Sequence, residues 1–404
     1  MVLLASRGVS DLADRLRARI RAEGPLRFDT FQEAALYDPG GGYYERPGRV
    51  GREGDFVTGA SWDPAFGRTM ARVARRLREE EKNEEEEIPV NGESGMPRGS
   101  RAPTDVVDVG AGEGELLSAA DAALRASGIR EEFRLIGVER SAVRRERARR
   151  NCPGATWLSS LEEIPSSSLS GLVLCYELFD ALPVRSLFFE GEKLLERVVT
   201  VAPNEEGGAF AWGLADCADG AELLERFRAR GIHLRRNQKL EIRSGAAGLA
   251  SALASRLSSG LLVVFDYGAP ARALYGPVRT EGTLEAFQAH EVTRDVLSGP
   301  GSRDLTAWVD FSEIGEAFAA SGLEVAPLVS QARFLSAAGL ADELARDASL
   351  PESPERFVER NRIAKLLAPG GMGELIRVLA ASRATALGAA LTSWPDRGMS
   401  QSNH

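Results

Sequence analysis

Apolar and polar positions along the chain alternate between two periods. Short β-branched or apolar runs at 106–109, 133–138, 155–158, 171–175 and 261–265 read as buried strands. Between and around them, apolar residues recur at helical spacing. Leu116, Leu117, Ala120, Ala123 and Leu124 predict a helix directly after the first strand, and further helices are expected over 64–77, 221–230, 311–321, 332–346 and 355–367. Residues 323–329 and 373–381 predict two late strands, and 187–201 with 209–214, separated by a polar Gly-containing turn, predict a β-hairpin. Near the N-terminus Leu12, Leu16 and Ile20 make an apolar stripe, and a second helical run passes through Phe31, Ala34, Ala35 and Leu36. Alternating strands and helices predict an α/β fold, a doubly wound sheet with an N-terminal helical portion and an inserted β-hairpin/helical subdomain.

Where the first strand becomes a helix the chain reads Asp108-Val109-Gly110-Ala111-Gly112-Glu113-Gly114-Glu115. Glycines at such a junction let the backbone take positive φ and let a ligand approach main-chain N–H groups. The spacing is Gly-x-Gly-x-Gly, with Glu115 in the place of the last small residue of a dinucleotide fingerprint. Asp108 and Glu113 would repel a pyrophosphate but tolerate the sulfonium and ammonium of S-adenosyl-L-methionine. The second strand ends in Glu139, placed to accept from ribose hydroxyls, and the turn at Ser160, Leu161 and Glu162 falls where an adenine would lie beyond the strand ends. The competing reading is an ordinary tight connection and a solvated strand end.

Charge and composition narrow the field. The 404 residues carry a formal charge of -9, which argues against a nonspecific nucleic-acid binder. Cys152, Cys175 and Cys217 are scattered, and His233, His290 and His404 form no pair, so a reducing compartment and no structural zinc are expected. No run approaches the ~20 apolar residues of a membrane span. Five arginines before Glu23 raise the question of an organelle-targeting helix, but Asp11, Asp14 and Glu23 interrupt them. A structural helix and a cytoplasmic protein are expected. After residue 78 periodicity gives way to a glutamate block and then to Pro, Gly and Ser, the signature of a solvated insertion. The expected organisation is 1–78 N-terminal helical portion and lid turns, 79–104 acidic insertion, 105–183 first half of the sheet domain, 184–258 inserted subdomain, 259–394 second half with a long substrate loop, and 395–404 loose tail.

Candidate chemistry clusters at the end of the fourth strand, in Tyr176-Glu177-Leu178-Phe179-Asp180-Ala181-Leu182-Pro183. Two carboxylates three residues apart would face the crevice if a helical turn began there. They could orient an amine or guanidinium for methyl transfer, or simply stabilise a helix N-terminus. Tyr43 and Tyr44 beside Gly40, Gly41 and Gly42 allow either an aromatic lid or a packed turn, and Asp55 either faces a ligand or caps a helix.

Several stretches together resemble the MidA-like S-adenosylmethionine-dependent methyltransferases. They are Gly24-Pro25-Leu26-Arg27-Phe28, Ala35-Leu36-Tyr37-Asp38-Pro39 with Gly42-Tyr43-Tyr44, Gly54-Asp55-Phe56-Val57-Thr58, the glycine loop, and Glu177-Leu178-Phe179-Asp180-Ala181-Leu182-Pro183-Val184-Arg185. Further on come Asp266-Tyr267-Gly268, Gly282-Thr283-Leu284 with His290, Asp304-Leu305-Thr306-Ala307-Trp308-Val309-Asp310-Phe311, and Gly371-Met372-Gly373-Glu374-Leu375. That family includes a mitochondrial complex I assembly factor with protein-arginine methyltransferase activity. The resemblance implies a class I methyltransferase sheet, cofactor contacts at Gly110, Gly112, Gly114 and Glu139, and substrate-side roles near Asp55, Glu177, Asp180 and His290. Asp108, Ala111, Arg140, Leu161 and Tyr176 complete the expected cofactor set. Tyr176 stands where the family usually has Asn, Glu113 where a basic residue is common, and Gly59-Ala60-Ser61-Trp62 where a Ser-Pro-Glu-like turn is usual. The expected function is methylation of an arginine on a partner protein, such as a respiratory-complex subunit; the alternatives are a cofactor-binding assembly scaffold without catalysis and a nicotinamide oxidoreductase.

Overall fold

The computed structural model describes residues 11–45, 64–86, 102–202, 208–288, 291–348, 351 and 353–393. Along the chain, helix α1 (Leu12–Glu23) buries Leu12, Leu16 and Ile20, strand β1 (Leu26–Arg27) follows, and helix α2 (Phe28–Tyr37) buries Phe28, Phe31 and Leu36. Helix α3 (Pro64–Glu86) precedes β2 (Thr104–Val109), α4 (Glu115–Ala126), β3 (Phe133–Val138), α5 (Ala142–Asn151), β4 (Thr156–Leu158) and β5 (Leu169–Tyr176). Then come β6 (Arg185–Phe189), β7 (Leu194–Val201), β8 (Phe210–Asp216), α6 (Gly220–Ala229), β9 (Gln238–Ile242), α7 (Ala246–Arg256) and β10 (Leu257–Ala269). The connection beyond it holds α8 (Ala271–Leu274), β11 (Glu285–Gln288), β12 (Glu291–Thr293), β13 (Asp304–Thr306) and β14 (Val309–Asp310). The chain closes through α9 (Phe311–Ala320), β15 (Glu324–Val325), β16 (Val329–Ser330), α10 (Gln331–Ala337), α11 (Leu340–Ala348), α12 (Pro354–Leu367), α13 (Met372–Leu375), β17 (Ile376–Arg383) and α14 (Leu387–Thr392).

The principal sheet runs β15-β17-β10-β5-β2-β3-β4. Strands β10, β5, β2, β3 and β4 are parallel, and β17 lies antiparallel to β10. From β2 the chain steps to β3 and β4 on one side, whereas from β5 it continues to β10 on the other. The reversal opens a crevice between the carboxyl ends of β2 and β5, where ligands of doubly wound sheets bind. Both faces are covered, so the central strands read as nearly continuous apolar runs. Val106, Leu172, Leu174 and Phe265 pack beneath Phe66, Met70, Leu117 and Phe334 of α3, α4 and α10. Val107, Val173 and Val264 pack beneath Leu253 of α7 and Ile314 and Phe318 of α9.

A second, antiparallel sheet runs β1-β7-β6-β9, with β8 on the other side of β7. The N-terminal segment is part of it: Leu26 pairs with Val199, Phe28 packs tilted against Trp212 at 5.2 Å, and Phe31 meets Phe210 edge to face at 5.3 Å. The N-terminal helix is therefore structural over its described length, as its apolar stripe predicts. No helix among the described residues is long and apolar enough to cross a membrane.

Several predicted elements are redrawn. The expected strand 187–201 is two strands, because Glu190 and Lys193 close a turn around Gly191 through a backbone hydrogen bond of 3.0 Å. Helix α3 continues to Glu86 through the first part of the glutamate block. Those acids are used: Glu80 accepts from Thr385 at 2.6 Å, and Glu81 from Thr104 and Ser170 at 3.1 and 2.8 Å. The run 323–329 breaks into β15 and β16 around Pro327, which has no N–H to give a ladder. The helix expected over 332–346 splits at 338–339, and residues 373–375 lie in α13, so the last strand begins at Ile376.

Gln32 ties these parts together from a fully buried position. Its amide donates to Leu305 O, and its Oε1 accepts from Val184 N, both at 2.9 Å. Gln32→Met retains the volume but orphans two buried backbone groups, so urea unfolding should report a loss of about 3 kcal/mol. A loss below 1 kcal/mol would show that water reaches those groups.

Candidate active site

At the carboxyl end of β2 the chain makes a tight loop. Gly110 N and Ala111 N both donate to Val138 O, at 2.9 and 3.1 Å, which draws the loop over the end of β3. Gly112 has φ +57, with open space where a Cβ would stand. Its N–H donates to Glu139 Oε2 at 2.9 Å, and Ser141 N donates to Glu139 Oε1 at 2.8 Å. Each oxygen of Glu139 therefore keeps a lone pair for a hydroxyl donor. Burial raises the pKa of Glu139, opposed by the Arg144 charge and the two N–H donors.

This loop forms one wall of a cavity of about 460 Å³, within the range of small-molecule sites. Among the expected cofactor residues, Asp108, Gly110, Ala111, Gly112, Glu139, Arg140, Leu161 and Tyr176 border it, as do Glu177 and Asp180. Gly114 does not. It sits at φ +82 under Trp157, whose ring would lie 2.7 Å from an added Cβ, so this glycine serves helix packing rather than the cavity. Tyr176 touches the cavity wall, but its ring stacks on Phe265 at 5.5 Å and its hydroxyl donates to Gln331 at 3.0 Å. Its side chain is committed to the core. Asp55 and His290 lie outside the described residues.

Asp108 carries much of the electrostatics. Burial, with the charges of Glu115 and Glu139 added, pushes its carboxyl up to about 7, and no donor among the described residues reaches it. Such a carboxylate favours a cation beside it. Together with the lone pairs of Glu139 and the open face of Gly112, it fits the cationic methionine and the ribose of S-adenosyl-L-methionine, and it opposes a phosphate.

The inner end of the cavity is acidic. Glu177 ends β5 in the left-handed region at φ +48, with its N–H donated to Phe265 O at 2.8 Å, and no helix begins there. The turn that replaces the expected helical one is built by Asp266, which accepts from Phe179 N, Asp180 N and Tyr267 N at 2.9, 3.2 and 2.9 Å. Burial pushes Asp266 up to about 7 despite Arg243 and these donors. Among the described residues Arg243 donates to carbonyls, those of Asp180, Leu182, Ala307 and Trp308, clamping the turn to the segment before β14. Among the described residues, Glu177 Oε1 and Asp180 Oδ1 are buried without a hydrogen-bond partner. Burial raises the pKa of both, with the charges of Asp180, Asp266 and Asp304 adding at Glu177 and those of Asp266 and Asp304 at Asp180. Unpartnered buried carboxylate oxygens are costly, and their presence beside a cavity marks a place prepared for a donor.

Three residues absent from the sequence-derived site also line the cavity. Tyr37 and Tyr44, 5.2 Å apart, face the guanidinium groups of Arg140 and Arg144 at 3.9 and 4.2 Å, and Asp304 accepts from the Tyr44 hydroxyl at 2.8 Å. The tyrosines form a packed turn, with Tyr43 fully buried. Residues from α2, the turn after it, β13, α5 and the segment after β3 meet here only through tertiary packing, although the acid at the head of the 304–311 motif was a usable signal.

Residues 93–329 match the family model of S-adenosyl-L-methionine-dependent methyltransferases. The chain is 28% identical, over 93% of its length and 86% of the other's, to the Drosophila melanogaster protein named protein arginine methyltransferase NDUFAF7 homolog, mitochondrial. It is 24% identical to the Danio rerio mitochondrial protein arginine methyltransferase NDUFAF7, covering 74% of this chain and 69% of that one. A Burkholderia thailandensis crystal structure bound to S-adenosyl-homocysteine matches with a TM-score of 0.77 and 30% identity, over 92% of each chain. These findings place the fold and the cofactor with the class I methyltransferases. They overturn the cytoplasmic expectation, because the curated relatives are named mitochondrial; scattered cysteines distinguish oxidising from reducing surroundings and do not separate one reducing compartment from another.

The state of Asp108 gives a direct test. Burial holds its carboxyl at about 7, above the ordinary 3.8 of an aspartate, so ionising it costs stability as pH rises between those values. Asp108→Asn should therefore stabilise the cofactor-free protein at pH 8, by up to about 4 kcal/mol, with the gain gone at pH 4, and should weaken S-adenosyl-L-methionine binding. Melting curves and calorimetry check both, and a variant less stable than wild type at pH 8 would refute the desolvation argument.

Proposed function

Since the chain belongs to this S-adenosyl-L-methionine-dependent methyltransferase family, we propose that it methylates an arginine side chain of a partner protein. The observation that carries the reading is a pair of buried oxygens with no hydrogen-bond partner among the described residues, Glu177 Oε1 and Asp180 Oδ1, on the wall of the cofactor cavity. The arginine activity and mitochondrial location of the named relatives support it, and on the same footing we assign the chain to a mitochondrial setting.

S-adenosyl-L-methionine supplies an electrophilic methyl group on a sulfonium. Glu139 would hold the ribose, Asp108 would answer the positive charge, and the loop at 110–112 would allow close approach. Leu161 would face the adenine. On the acceptor side, a guanidinium stays protonated in water, so it must be oriented and must lose a proton as the new N–C bond forms. Glu177 and Asp180 would accept its N–H groups and hold the nitrogen toward the methyl group. A carboxylate whose charge is made costly by burial is a better proton acceptor than one in water, and Glu177 is assigned that role. Asp266 and Arg243, each committed to backbone groups, would keep the turn still while charge moves. The commitment of Tyr176 to the core leaves these carboxylates open, which favours catalysis over a scaffold that only binds the cofactor.

Glu177→Gln should leave S-adenosyl-homocysteine affinity within about threefold of wild type, while transfer of a labelled methyl to arginine in mitochondrial protein falls about 100-fold or more. Unchanged turnover would remove Glu177 from the mechanism. Wild-type protein that binds the cofactor yet labels nothing would favour the scaffold.

A further inference from the structure

Asp304 is the third carboxylate at the acidic end of the cavity, and the role assigned to Glu177 and Asp180 does not use it. It opens β13, is 5% exposed, and borders the same cavity as Asp180, itself 4% exposed. It forms no ion pair among the described residues; its Oδ1 accepts from the neutral Tyr44 hydroxyl at 2.8 Å. The Arg144 charge acts on it without forming an ion pair. Arg144 lies over the Tyr44 ring at 4.2 Å, and Arg243 gives its donors to four carbonyls. Both Glu177 and Asp180 feel the Asp304 charge.

The position of Asp304 is set from two sides. Strand β13 pairs with β11, with Asp304 opposite Phe287, and the next residue is held by the Gln32 amide through Leu305 O. Tyr44 is anchored by its carbonyl, which accepts from Ser141 Oγ at 3.2 Å, next to the N–H that grips Glu139. One tyrosine thus connects the residue that would hold the cofactor to a carboxylate on the acceptor side.

We propose that Asp304 forms the third wall of the acceptor subsite, completing with Glu177 and Asp180 a cage that selects a guanidinium side chain, and that Tyr44 is its positioning residue. This inference rests on the arginine reading above. Three acceptor-only groups at one end of a cavity match a cation with five N–H donors spread in a plane better than an ammonium with three, and they reject a neutral amide, which brings donors without charge.

The test is calorimetric and needs no turnover. Protein saturated with S-adenosyl-homocysteine is titrated with N-acetyl-L-argininamide, N-acetyl-L-lysinamide and the neutral isostere N-acetyl-L-citrullinamide. Wild type should bind the arginine probe at least tenfold more tightly than either of the others. Asp304→Asn keeps an oxygen for the Tyr44 hydroxyl but removes the charge, and should weaken the arginine probe at least tenfold with S-adenosyl-homocysteine affinity within twofold. Tyr44→Phe keeps the charge but removes the donor that positions the carboxylate. It should weaken the probe about threefold with S-adenosyl-homocysteine affinity within twofold, beyond any fall in melting temperature from the orphaned oxygen. If Asp304→Asn binds the arginine probe like wild type, Asp304 is not part of the subsite, and the arginine reading stands without it. If Asp304→Asn also loses S-adenosyl-homocysteine, its role is structural and the cage is refuted. If wild type shows no preference for the arginine probe, the arginine reading itself falls, and this inference with it.

Discussion

Negative charge buried at the tips of parallel strands, with no salt bridge to it among the described residues, is the constraint around which this protein is arranged. Asp108 ends β2, Glu139 follows β3, Glu177 follows β5 and Asp266 lies near the end of β10, so the four central strands each deliver an acid to the same edge. Burial raises the pKa of every one of them. An apolar fold bears that cost where the charge has work to do. Here two of the acids take backbone N–H groups and hold loops in place, while Asp108 and Glu177 keep oxygens free.

The helices and the second sheet make that edge into a closed site. The parallel sheet alone would leave its crevice open to water, where carboxylates would be solvated and of ordinary strength. Residues 11–45 pack onto the inserted antiparallel sheet and bring Tyr37 and Tyr44 over the crevice. Arg140 and Arg144 lie against those rings, and Gln32 joins α2 to the start of β6 and to β13. Lower local polarity strengthens each remaining electrostatic contact. The insertion and the long connection after β10 are thus structural conditions for the chemistry.

The α/β class and the glycine loop were legible because both depend on local pattern. Strand runs apolar on both faces announce a covered parallel sheet, and glycines at a strand-to-helix junction mark a cradle whatever surrounds it. The misreadings follow from the same logic. Gly114 carries the glycine signal but answers to the Trp157 ring, and the glutamate block, polar by composition, continues a helix because Thr104, Ser170 and Thr385 wait for Glu80 and Glu81. Partners so distant in the chain leave no periodic trace.

By itself, the sequence determined the α/β class and the place of the glycine loop at the end of the first sheet strand, and it put Glu177 and Asp180 three residues apart after another strand, since each is written in consecutive residues. Only the tertiary structure decided that the turn after β5 is left-handed rather than helical, that Tyr176 belongs to the core, and that Asp304 and Tyr44 meet across 260 positions. The physical reason is that a side chain's environment, and with it its charge state and partners, depends on what packs against it, which chain order does not specify.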